Sequence, residues 1–317
     1  MRRSTRNVAP VALAIAVAIS VSAGAGAIPT PLPEIAYVGK IPKLHTAAIY
    51  TINSDGSARQ LLTPRGRVTP ASSFSWSPDG KQIVYARGPE FSGQIIVLNV
   101  DGSGAKRLTT SRLGSANPVF SPNGQLIAFN REDKADYRQI WVMNADGSHK
   151  RQLTRSRQFN ESPDWSPDGS KIVFERYYSG SRMELWTMDP DGVSKKRIAR
   201  VKTYTTADGT WWCACPDWSP DGTKIAYEAI TEKHKPSIYV MNADGTNRIR
   251  LTFRSSTREE NPDWSQDGQQ IAFYSERFGN AEIFVMDADG RNERRITHDP
   301  WYDCCPRWKP SAPPVPQ

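Results

Sequence analysis

The segment WSPDGKQIVYAR, Trp76 to Arg87, returns almost unchanged as DWSPDGSKIVFER from Asp164 and as DWSPDGTKIAYEA from Asp217, and more loosely as DWSQDGQQIAFYS from Asp263. Anchored on the aromatic residue ahead of the Ser-Pro-Asp-Gly, the repeat falls at Trp76, Phe120, Trp165, Trp218, Trp264 and Trp308, with spacings of 44, 45, 53, 46 and 44. A second series, Asp-Gly, falls at Asp55, Asp101, Asp146, Asp191, Asp244 and Asp289, the last five each 25 or 26 residues after an anchor. Two interleaved series of six at a period of 40 to 50 residues mark a repeat architecture.

Each unit reads as four strands. Phe74-Ser75-Trp76 and its equivalents end the first. Ser77-Pro78-Asp79-Gly80 suits a tight turn, because proline presets φ at its second position and glycine accepts a positive φ at its fourth. Ile83-Val84-Tyr85 is a second strand, rich in β-branched and aromatic residues. A third runs from Gln94 to Val100, Asp101-Gly102 makes a hairpin turn, and Lys106 to Thr109 opens the fourth. Four strands per unit at this period predict a blade of a β-propeller.

The two ends fix the blade count. The chain enters with a unit lacking its first strand, Glu34 to Val38 and then Ala48 to Thr63, and ends on a first strand with nothing after it, Pro306 to Pro310. Joined, the fragments make one blade, so the sequence predicts an all-β, six-bladed propeller of four-stranded antiparallel blades over residues 34–310, closed by a C-terminal strand. Closure removes the exposed edges that an open sheet has to protect.

The pattern PDWSPDG…IAF…IYVMNADGT…RLT resembles the WD40-like (PD40) repeat of TolB-type propellers, over roughly Glu34 to Pro310. The resemblance implies the fold and says little about function, since such propellers serve as ligand-capturing domains, as gating domains of peptidases and as free-standing exported proteins. TolB also carries an α/β domain before its propeller, and the sequence here leaves no room for one. The Tol–Pal role is therefore not carried over.

Residues 1–27 read as a signal peptide: Arg2, Arg3 and Arg6, an apolar run from Val11 to Val21, and the small residues Ala25-Gly26-Ala27 before the cleavage point. Residues 28–33 form an N-terminal tail and 311–317 a proline-rich C-terminal one. The expected location is outside the cytoplasm, periplasmic or extracellular, with no transmembrane anchor after cleavage. Of the net charge of +8, three positive charges belong to the leader. The remaining basic excess is mild, and it argues against nucleic acid as a partner.

Strand alternation places the Ser-Pro-Asp-Gly and Asp-Gly turns on one face of the ring and the long, variable connections on the other. Binding residues concentrate on such loops, so the loop face and the channel mouth are the expected site. Arg87, Arg131 and Arg176 share one repeat position there. Tyr177, Tyr178, Trp211, Trp212, Trp301 and Tyr302 supply aromatics, and Glu161 and Glu260 supply carboxylates near the channel. Arginine beside aromatic rings suits an acidic peptide, a protein surface or an anionic cell-envelope polymer; solvation of the loops by scattered arginines is the plain alternative. The expected module is a monomer.

Cys215 and Cys305 stand at the same register, three residues before an anchor tryptophan, with Cys213 and Cys304 beside them. In an exported chain four cysteines point first to disulfides. Links between the two loops are favoured over Cys213–Cys215 and Cys304–Cys305. A redox or metal-thiolate role is the other reading of these cysteines.

Catalytic signatures are sparse. No Gly-X-Ser-X-Gly elbow occurs in the sequence. His45, His149, His234 and His298 show no paired ligand spacing, and no metal or other cofactor is implied. Asp-X-Asp-Gly in MDPDGV and MDADGR lacks the further carboxylates of a calcium loop. The function read from the sequence is a binding or scaffolding module. A polysaccharide lyase or hydrolase working at the channel mouth is the alternative.

Overall fold

A computed structural model describes residues 34–41, 46–63, 74–88, 93–110, 112–178, 182–202, 213–230, 235–254 and 256–311. They form six four-stranded antiparallel sheets. The first blade joins β1 (Glu34–Ile41), β2 (Thr46–Asn53) and β3 (Gln60–Leu61) to the last strand, β24 (Tyr302–Trp308). The second contains β4 (Phe74–Trp76), β5 (Gln82–Arg87), β6 (Gln94–Asn99) and β7 (Lys106–Arg107). The third contains β8 (Ser115–Phe120), β9 (Leu126–Glu132), β10 (Arg138–Asn144) and β11 (Arg151–Gln152). The fourth contains β12 (Phe159–Trp165), β13 (Ile172–Tyr178), β14 (Arg182–Met188) and β15 (Lys196–Lys202). The fifth contains β16 (Asp217–Trp218), β17 (Lys224–Ile230), β18 (Pro236–Asn242) and β19 (Ile249–Arg250). The sixth contains β20 (Glu259–Trp264), β21 (Gln270–Ser275), β22 (Glu282–Asp287) and β23 (Arg294–Arg295). The chain closes as expected: β24 pairs with β1, setting Trp308 against Ile35 and Cys304 against Val38.

The repeated residues build turns and contacts between blades. Ser77 Oγ donates to Asp79 Oδ1 at 2.6 Å, and Asp79 Oδ1 accepts from the amide of Lys81 at 3.1 Å, so the side chain completes the turn. Asn123, Asp168, Asp221 and Asp267 repeat this bonding in their own blades. At the outer hairpins the glycine is also a packing requirement. Gly245 has φ +91°, and a Cβ there would stand 1.9 Å from the carbonyl oxygen of Ile198 in the neighbouring blade. A buried threonine closes five of the blades: Thr63, Thr109, Thr154, Thr252 and Thr297 each accept a hydrogen bond from a third-strand amide fourteen residues earlier.

The apolar core lies between blades as well as within them. Val84 and Ala86 pack with Phe120, Ile127 and Phe129 of the next blade, whereas Ile83 and Tyr85 of the same strand turn to the other side. Strands buried on both faces read as unbroken apolar runs, which explains the IVY and IAF triplets. The anchor aromatics wedge into these seams, with Trp76, Trp165, Trp264 and Trp308 each no more than 5% exposed.

The innermost strand of each blade faces the channel. Four of them carry a residue with left-handed φ directly before a proline: Asn117, Ser162, Asn261 and Cys305. Cys215, just ahead of β16, repeats the feature in the fifth blade. At the Asn117, Ser162 and Asn261 sites the pairing register shifts between the residue before and the second residue after, as in a β-bulge.

Candidate functional site

In three blades the residue just before the anchor aromatic is an aspartate that reaches along the ring to the next blade. Asp164 Oδ2 accepts from the amide of Trp218 at 3.1 Å, Asp217 Oδ2 from that of Trp264 at 2.8 Å, and Asp263 Oδ2 from that of Trp308 at 2.6 Å. At the same repeat position the closing strand has Arg307, whose Nη1 donates to Asp263 Oδ1 at 2.9 Å. One arginine thus stands among three carboxylates. Burial raises the pKa of all three: it brings Asp164 to about 7, and together with the neighbouring Asp263 and Asp164 it holds Asp217 well above the usual carboxylate range. Asp164 and Asp217 remain half-buried, so channel solvent keeps partial contact with them.

Deeper in the channel lies a second acidic layer, ten residues after the anchors. Position ten is Ala86, Asn130, Glu175, Glu228 and Tyr274 in successive blades. Glu175 is fully buried. Burial pushes it up to about 7, against the opposing pull of its hydrogen bond from the Tyr177 hydroxyl. Glu228 is raised well above the usual carboxylate range by burial and by Glu260 and Glu175. Glu260 accepts from the Tyr274 hydroxyl through Oε2, while its buried Oε1 has no partner among the described residues.

Apart from Glu175, which lies behind the wall, these groups line one cavity of about 990 Å³. Its wall includes Pro78, Pro122, Pro167, Pro220, Gln266 and Pro310, which are half-buried or exposed, so the cavity meets solvent on the side of the tight turns. Glu161, Asp164, Asp217, Glu228, Glu260 and Asp263 line it, against Lys40, Arg138 and Arg307 as cations. Six carboxylates face three cations, and of those three Arg138 is already paired to Glu161 at 2.9 Å and Arg307 to Asp263.

The residues expected from the sequence divide between two regions. Glu161, Tyr177, Glu260 and Tyr302 line the cavity. So do the four cysteines, whereas the other described candidates do not. Arg87 is exposed at the end of β5. Arg131 stacks over Trp141 at 4.9 Å, and Arg176 stacks over Trp186 at 4.3 Å while its Nε donates to Asn160 Oδ1 at 2.9 Å. Tyr178 lies under Arg182, and Trp301 packs on Tyr50 and Arg59 near the first blade. Trp211 and Trp212 lie outside the described residues, as do His45 and His234. Reading the loops for charge missed the Asp164–Asp217–Asp263–Arg307 ring and the Glu175–Glu228 layer. Both carried a signal: an arginine replacing the repeated aspartate, and polar residues within otherwise apolar second strands.

The cysteine connectivity corrects the sequence expectation. Cys213 is joined to Cys215, with Cα atoms 5.3 Å apart, and no link joins the two loops. Cys304 and Cys305 are free thiols with sulfurs 3.1 Å apart. The physical reason is the intervening sixth blade: Asn261 stands between the two sites and donates to Cys215 Sγ at 2.8 Å. Cys304 is lowered to about 7 by the hydrogen bond from Cys305 and then by Lys40, and Cys305 is raised in turn. Glu175 Oε1 and the sulfurs of Cys213 and Cys215 lie within 4.8 Å of one another. While the sulfurs are bonded to each other they are not thiolates, and the trio is not a metal site.

With this geometry in view, residues 40–212 and 201–314 match the PD40 family, described as the TolB beta propeller domain. The chain belongs to the TolB β-propeller family. Its sequence is 37% identical over 95 residues to an uncharacterized protein of Agrobacterium fabrum, covering 30% of this chain and 32% of that one. It is 42% identical over 64 residues to the Tol-Pal system protein TolB of Alcanivorax borkumensis, covering 20% of this chain and 14% of that one. The chain thus matches about a third or less of the length of these curated relatives. The crystal structure of TolB from Acinetobacter baumannii superposes with a TM-score of 0.73 at 22% identity, over 88% of this chain and 67% of that one. At that identity the family likeness establishes the propeller and leaves the ligand to the site itself. Among the described residues no helix is long and apolar enough to cross a membrane.

Proposed function

We propose that this propeller is a binding module that takes a cationic segment of a partner protein or peptide into its channel from the side of the tight turns. The observation that carries the reading is the unbalanced wall of the cavity, six carboxylates against three cations, two of them already paired. A lysine or arginine entering there relieves repulsion among Asp164, Asp217 and Asp263 and finds the unpartnered Glu260 Oε1 deeper in. The sign is the reverse of the anionic ligand expected from the loop arginines, of which Arg131 and Arg176 are occupied with Trp141, Trp186 and Asn160. A lyase or hydrolase has less support: the described histidines, His149 and His298, are exposed and stand away from the cavity wall. Residues 1–27 favour action outside the cytoplasm.

Channel tryptophans provide the assay, because Trp76, Trp165, Trp218, Trp264 and Trp308 all line the cavity. Triarginine and triglutamate peptides are titrated at pH 9, above the values of about 7 for Asp164 and about 8 for Glu260. Triarginine should give a saturable change in fluorescence, weakened about tenfold (~1.4 kcal/mol) by the pair Asp217→Asn and Glu228→Gln. Tighter binding of triglutamate, or indifference to the pair, would overturn the reading.

A further inference from the structure

The Cys213–Cys215 disulfide is poorly explained as a staple. A disulfide stabilises chiefly by restricting the unfolded chain, and the effect grows with the length of the closed loop. Cys213 and Cys215 are separated by two positions in sequence, near the minimum loop that a disulfide can close. Its surroundings are better explained by chemistry at sulfur. Both cysteines are half-buried on the wall of the channel cavity. Each sulfur faces hydrogen-bond donors: Cys213 Sγ accepts from the Cys215 amide at 3.1 Å and lies 3.2 Å from Ser162 Oγ, and Cys215 Sγ accepts from Asn261 Nδ2 at 2.8 Å. Beside Cys213 Sγ, at 3.0 Å, is Glu175 Oε1.

We infer that Cys213–Cys215 is a redox-active disulfide that exchanges with an external dithiol, with Glu175 delivering the proton to the departing Cys213 sulfur. The first thiolate of the dithiol attacks Cys215 Sγ. A bond forms between the two sulfurs, the Cys213–Cys215 bond breaks, and its electron pair goes to Cys213 Sγ, which takes the proton held on Glu175 Oε1. The second thiolate of the dithiol then attacks the dithiol sulfur of the mixed disulfide, releasing the dithiol as a cyclic disulfide and Cys215 as a thiolate. The dithiol loses two electrons and two protons, and the cysteine pair gains them. One proton arrives through Glu175, which is reprotonated from the two that the dithiol releases, and the other reaches Cys215 from solvent.

The division of labour follows from the contacts. Exchange is fast when the leaving sulfur is stabilised as a thiolate or protonated as it departs, and Cys213 has the Ser162 hydroxyl, the Cys215 amide and the Glu175 carboxyl for this. Glu175 is suited to hold a proton near neutrality because burial raises it, with Glu161 adding to the rise. The Tyr177 hydroxyl, the Cys215 amide and Ser162 oppose it. The remaining charged groups near this cluster are Arg138, paired with Glu161, and Glu228 on the adjacent blade. Cys304 and Cys305 form a second dithiol on the same cavity wall and are removed in the test so that only one pair reports.

The experiment uses the full chain with Cys304→Ser and Cys305→Ser. Dithiothreitol is the probe, and thiols are trapped with a maleimide and counted by intact mass between pH 6 and pH 9. Reduction of the folded chain to two thiols should proceed without denaturant. Glu175→Gln should slow it at least tenfold at pH 6 to 7 and remove the inflection near pH 7 that is not due to dithiothreitol's own ionisation. Ser162→Ala, a milder change should Glu175→Gln fail to fold, should slow it several-fold. A disulfide that yields to dithiothreitol only on unfolding overturns the inference. So does a rate unmoved in whichever of these variants folds, or a reduced chain that takes up one equivalent of zinc and then resists reoxidation.

Discussion

Replacing Asp263 with asparagine should destabilise the propeller far more than the same change at Asp164 or Asp217, although the repeat makes the three positions equivalent. Each aspartate accepts one hydrogen bond from the anchor amide of the next blade. An asparagine oxygen keeps that bond in neutral form, at a cost of about 1 kcal/mol. Asp263 in addition holds Arg307 at 2.9 Å, on the strand that closes the ring. At an effective dielectric constant of about 20, a pair at this distance interacts by about 6 kcal/mol before desolvation. Removing one partner of a buried pair costs about 3–5 kcal/mol. Arg307 is 25% exposed on its side chain and retains attraction to Asp217 and Asp164, so the lower end applies and a total near 3 kcal/mol follows for Asp263→Asn. At Asp217 and Asp164 the lost bond strength is offset by relief of repulsion between carboxylates, leaving a change of about 1 kcal/mol or less. Urea unfolding followed by far-ultraviolet circular dichroism provides the measurement. With a slope of about 3 kcal/mol per molar, the midpoint should drop by about 1 M for Asp263→Asn and by a third of that or less for the other two. Equal losses at all three sites would refute the reasoning, because it rests entirely on Arg307 favouring one of them.

Two further outcomes follow from the same structure. Burial raises Glu175 to about 7 and Asp303 and Glu260 to about 8, so the folded chain binds more protons than the unfolded one between about pH 4 and 8. Their stabilisation is complete at the acid end of that window and is lost as pH rises through it, by about 3 kcal/mol for Glu175 alone. The turn carboxylates, such as Asp168 held at about 2 by Ser166 and Ser170, lose their contribution only below pH 4. Urea midpoints should therefore be higher at pH 5 than at pH 8; the opposite order would contradict these shifts. At the outer hairpins, Gly245→Ala should cost upward of about 2 kcal/mol through collision with the Ile198 carbonyl. Gly102→Ala, at φ +82° with open space around it, should cost about 1 kcal/mol, and thermal unfolding of the two variants separates packing from backbone strain.

Much of the architecture was legible because it is written locally and six times over. A tight turn needs proline, aspartate and glycine at fixed positions, and a strand buried on both faces needs an unbroken apolar run. The incomplete first unit and the orphan strand at Pro306–Pro310 together required closure, and the pairing of β24 with β1 is that closure. The site was less legible. Arg131 and Arg176 read as ligand-binding residues from their exposed-loop register, yet each lies against a tryptophan of its own blade. Cys215 and Cys305 share a register, but shared register in a ring means separation, and the sixth blade with Asn261 holds the two apart.

The sequence by itself determined the number of blades, the turns and the closure, since all of these depend on residues close in the chain or on strict repetition. Only the tertiary structure decided that Asp164, Asp217 and Asp263, the buried Glu228 and Glu260 and both cysteine pairs converge on one channel, and that the cavity they line meets solvent at the tight turns. Equivalent residues of neighbouring blades, 46 or 53 positions apart in sequence, acquire a common environment only when the ring closes. The excess of carboxylate over cation, and the acidities perturbed chiefly by burial, are properties of that enclosed space and of no single repeat.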